Sequence, residues 1–89
     1  MAELSRFYGI VIAIFFRGEF GRHKLPHIHA RYAEFAASIA LDGTILDGHL
    51  PPTARRLVLR WMGQHQDELE LAWDQSRRGR TPPRIEPLS

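Results

Sequence analysis

The sequence contains no cysteine. It therefore has no disulfide framework and no thiolate metal site, a composition that suits a reducing cytosol. A long apolar run is missing too. The longest, Ile10 to Phe16, falls far short of the roughly 20 residues that span a bilayer, so no membrane partner is expected and the expected location is cytoplasmic. No secretory signal is expected either: Glu3 spoils a basic n-region, and Arg17 follows the apolar run without a small-x-small cleavage pattern. Repeats, low-complexity tracts and internal linkers are lacking. Lysine is scarce, with Lys24 standing alone, so arginine supplies nearly all the positive charge.

What is present is one domain's worth of chain. At 89 residues, a domain spanning 1–89 buries roughly 60–65% of its unfolded surface and builds one modest core. Stability of that order is readily shared with a partner, either a second copy in a homo-oligomer or another protein. The formal net charge of +2 tolerates nucleic acid without requiring it, and ordinary solubilising charge explains it equally well. Arginine is nonetheless the residue suited to planar, bidentate recognition of phosphate or carboxylate.

Hydropathy patterning predicts an α+β fold: a small antiparallel sheet of three to four strands, then a C-terminal helical segment packed on one face. The first strand is expected over about 5–16, with Phe7, Val11 and Phe15 on one side and Tyr8, Ile10, Ile12 and Ile14 on the other. Arg17 to Leu25 carries two glycines and many charges and reads as a connection. Pro26 leads into a strand over 27–32, and Ala33-Glu34 forms the turn to a returning strand over 35–41. A two-residue turn pairs Tyr32 with Phe35, Ala30 with Ala37 and Ile28 with Ile39 on the core face. On the other face it sets Ala36 opposite Arg31, Ser38 opposite His29 and Ala40 opposite His27, so both imidazoles are expected to project together into an open pocket floored by alanine and serine. Asp42-Gly43 is a hairpin signal, 44–46 a short last strand, and Asp47-Gly48 its closing turn. Leu57, Val58, Trp61, Met62, Leu69, Ala72 and Trp73 define one helical stripe over 53–78, with His65 in phase. A break near Gly63 to Asp67 leaves one kinked helix or two short ones equally open. A tail over 81–89 offers Ile85 and Leu88 for docking.

Family likeness lies in Ser5-Arg6-Phe7-Tyr8-Gly9-Ile10, Pro26-His27-Ile28-His29-Ala30, Leu50-Pro51, Leu57-Val58, Trp61, His65, Glu68-Leu69, Trp73 and Ile85-Glu86-Pro87-Leu88. In these residues the chain resembles the bacterial family named domain of unknown function 4160. The resemblance implies a small cytosolic protein from a compact two-gene cassette of toxin–antitoxin style, with a neighbouring-gene product as its partner. The family pattern has an acidic residue before the first histidine and a second proline in the His-x-His segment. Arg22 and Leu25 stand in those places here.

Three chemistries fit the residues. In the first, His27 and His29 are acid–base groups on an RNA phosphodiester, because imidazole titrates near neutrality. Arg31 and Arg22 then hold the phosphate, while Arg55 and Arg56, at a helix start where cations oppose the macrodipole, serve an anion. No cofactor is needed for this chemistry. In the second, a divalent metal such as zinc is bound by His27 and His29, with His23 or a carboxylate such as Asp47 as third ligand. The third is a non-catalytic module that binds a partner protein through a strand edge and the histidine face. A Ser38–His29 nucleophilic pair lacks an evident third member. A histidine-triad hydrolase would need a histidine where Arg31 stands. The bland alternative is that His29 simply hydrogen-bonds to Ser38 across the sheet, and that Trp61, Trp73 and His65 are core.

Overall fold

Five strands and two helices follow one another in chain order: β1 (Ala2–Phe7), β2 (Ile10–Ile14), β3 (His27–Tyr32), β4 (Phe35–Ala40), β5 (Ile45–His49), α1 (Pro52–Gln64) and α2 (Gln66–Arg77). The computed structural model describes residues 1–15 and 25–88. The strands form a single antiparallel meander, each paired with its sequence neighbour. The fold is α+β as expected, with one more strand than the three to four anticipated.

The additional strand comes from a hairpin hidden inside the expected first strand. Tyr8 and Gly9 both sit at positive φ, 50° and 78°, the backbone of a two-residue turn whose twist matches the strands it joins. Phe7 therefore pairs with Ile10 and shares the core side with Ile12 and Ile14, instead of facing away from them. Phe16, the expected end of that strand, lies outside the described residues.

β3 and β4 adopt the expected register: His27 opposite Ala40, His29 opposite Ser38 and Arg31 opposite Ala36. The next strand differs from expectation. Asp47-Gly48 does not close it but lies within β5, paired with Ser38 and Ala37. A Cβ on Gly48 would come within 2.2 Å of the Ala36 carbonyl oxygen, so glycine is used here for close strand approach rather than for a turn. Leu46 is skipped by the pairing, as Leu4 is in β1, so each outer strand carries a bulge.

The helices bury Ala54, Val58, Trp61, Met62, Leu69 and Ala72 in one core with Ile10, Ile12, Ile14, Ile28, Ala30, Ala37 and Ile39 of the sheet. Each fully buried isoleucine contributes about 1.5–3 kcal/mol relative to an exposed one. Two helices form rather than one kinked helix. His65 breaks the series with non-helical φ and ψ of −131° and 33°, and its Nδ1 lies 2.6 Å from the Glu68 carboxylate. Asp67 and Glu68 occupy the first turn of α2, where the macrodipole favours acids. The tail docks as expected. Ile85 donates its N–H to the carbonyl of bulged Leu4 (2.8 Å), and the Trp61 indole donates to Glu86 O (2.8 Å). Among the described residues no helix is long and apolar enough to cross a membrane.

Candidate functional site

Cross-strand partners point to the same side of a sheet, so the pairing aligns the face away from the helices into rows. One row runs Arg6, Val11, Arg31, Ala36, His49 from β1 to β5. The next runs Glu3, Ala13, His29, Ser38, Asp47. With strands about 4.8 Å apart, each row is about 19 Å long. The first is basic and exposed at Arg6, Arg31 and His49. The second is polar, with a carboxylate at either end.

Along β3 the three nominated residues pass from sealed to open. His27 is only 1% exposed. Its Nδ1 lies 2.7 Å from the Leu25 carbonyl oxygen and donates to it. Its ring sits 5.1 Å from that of His29 and 5.5 Å from Trp73 of α2. The expected open pocket shared by both imidazoles is therefore not formed: His27 belongs to a packed aromatic cluster that includes a helix residue far along the chain. His29 is half-buried and stacks on Phe15 at 3.9 Å with an interplanar angle of 21°. Its Nδ1 meets Ser38 Oγ at 3.3 Å, the cross-sheet hydrogen bond of the bland alternative. Arg31 is exposed.

Two clefts border His29. One, of about 110 Å³, lies between Val11, Ala13, Phe15 and Arg31. The other, of about 190 Å³, is walled by His29, Ser38 and Asp47 over a floor of Ala36, Ala37 and Gly48. Asp47 Oδ1 accepts the Gly48 N–H at 2.9 Å, which steadies the carboxylate. The small residues opposite β3 thus leave room on the sheet, as the alternation predicts.

At the far end of the rows Glu3 accepts from Arg6 (2.7 Å) and pairs with Arg84 (2.9 Å). Hydrogen bonding to Arg6, then to Arg84, holds its carboxyl below the ordinary glutamate range. Arg55 and Arg56 do not join this site. They are exposed on α1, across the sheet, and line neither cleft beside His29. α1 begins without a side-chain cap or an acidic residue in its first turn. Arg22 and His23 lie outside the described residues, and with them the proposed phosphate clamp and third metal ligand. Among the described residues no three histidine, aspartate or glutamate side chains gather at metal-binding distance.

Sequence reasoning missed Arg6 and His49, which join the site only once β1 is a separate strand and β5 extends to residue 49. The signal for the first was Gly9, two residues after Phe7. Phe15 lies with Val11 on the side away from Ile12 and Ile14, as the alternation predicts, but its stacking on His29 is a contact that only the packing reveals.

The family model described as "Domain of unknown function (DUF4160)" matches residues 9–74. No curated protein and no solved structure matches the chain. The matched segment opens at Gly9 of the first turn and runs to Asp74 in α2, so it contains His29, Arg31, Ser38 and Asp47 and leaves out β1 and the tail. With well over half its length matched, and with the His-x-His strand inside the match, this chain belongs to the DUF4160 family.

Proposed function

We propose that this protein binds single-stranded RNA across the sheet face that carries Arg31 and His29, as the toxin-like member of a two-gene module. The observation that carries the binding half is the row Arg6–Val11–Arg31–Ala36–His49, which crosses all five strands beside the stacked Phe15–His29 pair. A single strand needs cations along its phosphates and π faces for its bases, and this face supplies both within one residue step. The toxin-like half rests on the family resemblance.

The geometry favours binding over cleavage. Acid–base cleavage of a phosphodiester requires groups that reach the proton donor and the leaving oxygen. Of the nominated pair, His27 is sealed and already donates to Leu25. A strand-edge interaction module is the weaker reading. The β5 edge is short, bulged at Leu46 and charged at Asp47, features that protect an edge from added strands.

Fluorescence anisotropy with a labelled RNA 8-mer tests the binding. Micromolar affinity that falls with salt is expected. Arg31→Ala reduces the log–log salt slope by about 0.7, the share of one phosphate contact on a single strand. Phe15→Ala lowers affinity without changing that slope. Absence of binding at low salt by a folded protein would refute the proposal. Expression without the neighbouring gene tests the toxin-like half: growth arrest relieved by Arg31→Ala is expected, and normal growth at full expression rules it out.

A further inference from the structure

The exposed surfaces of the two helices carry opposite charge. α1 holds three arginines and no acid, and Arg55, Arg56 and Arg60 are all exposed. α2 holds the acids Asp67, Glu68, Glu70 and Asp74. Two of these are matched within the chain, Glu68 by His65 and Asp74 by Arg77 and Arg78. Asp67 and Glu70 are exposed, and neither they nor the three arginines form an ion pair among the described residues. Each charge set has an exposed leucine beside it in sequence, Leu59 before Arg60 and Leu71 after Glu70.

A cleft of about 250 Å³ opens next to Leu59, where Leu41, Gly63 and Gln66 meet at the α1–α2 junction. Its walls are braced: Gln66 Nε2 donates to the carbonyl oxygens of Leu41 (2.9 Å) and Met62 (3.0 Å). Gly63 stands inside α1, where glycine is less favourable than alanine. A Cβ on it would meet nothing within 4 Å among the described residues, so no contact there calls for glycine.

The geometry points to a two-fold pair of copies of this chain, α1 of each lying against α2 of the other, with Leu71 of each entering the cleft at Gly63 of its partner. A two-fold interface is self-complementary, giving on one helix what it receives on the other. Arg56 and Arg60 are about 6 Å apart along their helix, and Asp67 and Glu70 about 4.5 Å along theirs. Two guanidinium–carboxylate pairs can thus form side by side, and symmetry doubles them. Glycine at 63 then keeps the cleft clear for the incoming leucine. None of these residues belongs to the two rows that cross the sheet, so pairing and RNA binding are separable.

The contact is modest in size. Helices of 13 and 12 residues are about 20 and 18 Å long and about 10 Å wide, a footprint of about 400 Å². A stable complex buries roughly 800 Å² on each partner, so a reversible, micromolar pair is expected.

Sedimentation velocity of the full chain from about 5 to 500 μM tests the pairing. The mass should climb with concentration from 10.3 kDa towards twice that value, and fall back in high salt. Arg56→Glu with Arg60→Glu, or Asp67→Lys with Glu70→Lys, should weaken the pair about tenfold or more, because like charges then oppose each other. Mixing these two variants, each checked for folding by circular dichroism, should restore association, since each supplies the charges the other needs. Gly63→Leu should dissociate the pair and keep the fold. A monomer at every concentration overturns the proposal, and so does a pair that survives both charge reversals. Folded reversed variants that stay apart when mixed also overturn it. If the wild type is monomeric and Arg56→Glu with Arg60→Glu loses RNA binding, the α1 arginines belong to a nucleic-acid surface instead.

Discussion

Replacing Gly48 with alanine should cost this fold far more than the same replacement at Gly79, although both glycines have nearly the same backbone. Gly48 sits at φ 81° and Gly79 at φ 77°. An alanine at either position takes on left-handed strain of about 1–2 kcal/mol. At Gly79 that is the whole cost, because a Cβ there has nothing within 4 Å among the described residues. At Gly48 the Cβ would stand 2.2 Å from the Ala36 carbonyl oxygen and 2.9 Å from Ala37 Cα. Both are backbone atoms of β4, so no rotamer change gives relief and β5 must shift. Forced overpacking of this kind adds about 1–3 kcal/mol, for a total of about 2–5 kcal/mol at Gly48. Domains of this class have about 5–15 kcal/mol in all. Urea unfolding followed by circular dichroism reads the difference. With a slope near 1 kcal/mol/M for a small domain, the Gly48→Ala midpoint should fall by about 2 M or more and that of Gly79→Ala by about half as much. Equal midpoints for the two variants would show that β4 and β5 are not in this close register, and the cleft walled by Ser38 and Asp47 would go with it.

Ser76 is fully buried and its Oγ has no hydrogen-bond partner among the described residues. Ser76→Ala should therefore stabilise by about 1–2 kcal/mol, from relieved desolvation and better helix propensity, and a lower melting temperature by thermal shift would contradict this. Trp61→Phe keeps the buried ring but removes the bond to Glu86 O. About 1 kcal/mol should be lost, and residues 84–88 should become sensitive to carboxypeptidase, with unchanged digestion as the opposing result. Glu3 and Asp42 both titrate below their ordinary values of 4.5 and 3.8, Glu3 through Arg6 and Arg84, Asp42 through the Thr44 N–H. A depressed carboxyl stabilises fully above its unfolded pKa and ceases to do so as pH falls through its folded one. Acid should thus weaken the fold from the low fours downward, and Glu3→Gln with Asp42→Asn should flatten that slope. An identical acid profile for the double variant would locate the acid sensitivity elsewhere.

The hairpin that carries the candidate site was legible in the sequence because two local signals agree there. Ile28, Ala30 and Tyr32 alternate with polar residues, and Ala33-Glu34 leaves room for only a two-residue turn. The first hairpin was not legible, since Ile10 to Ile14 is apolar at every position and tyrosine gives no warning of a positive φ. Asp47-Gly48 misleads for the opposite reason: the dipeptide has turn chemistry, yet the glycine serves a neighbouring backbone. Burial of His27 depends on Trp73, a contact between residues far apart in the chain that no local pattern encodes. The rows were beyond reach for the same reason, because Arg6 and His49 become neighbours of the site only through the order of all five strands.

The closing of the tail over bulged Leu4 has a consequence for how the first edge of the sheet is guarded. At the bulge the Leu4 carbonyl accepts the Ile85 N–H, and Glu3 is held by Arg84 beside it. A foreign strand seeking to pair with β1 has to displace this latch first, so the tail does for the first edge what the bulge at Leu46 does for the last.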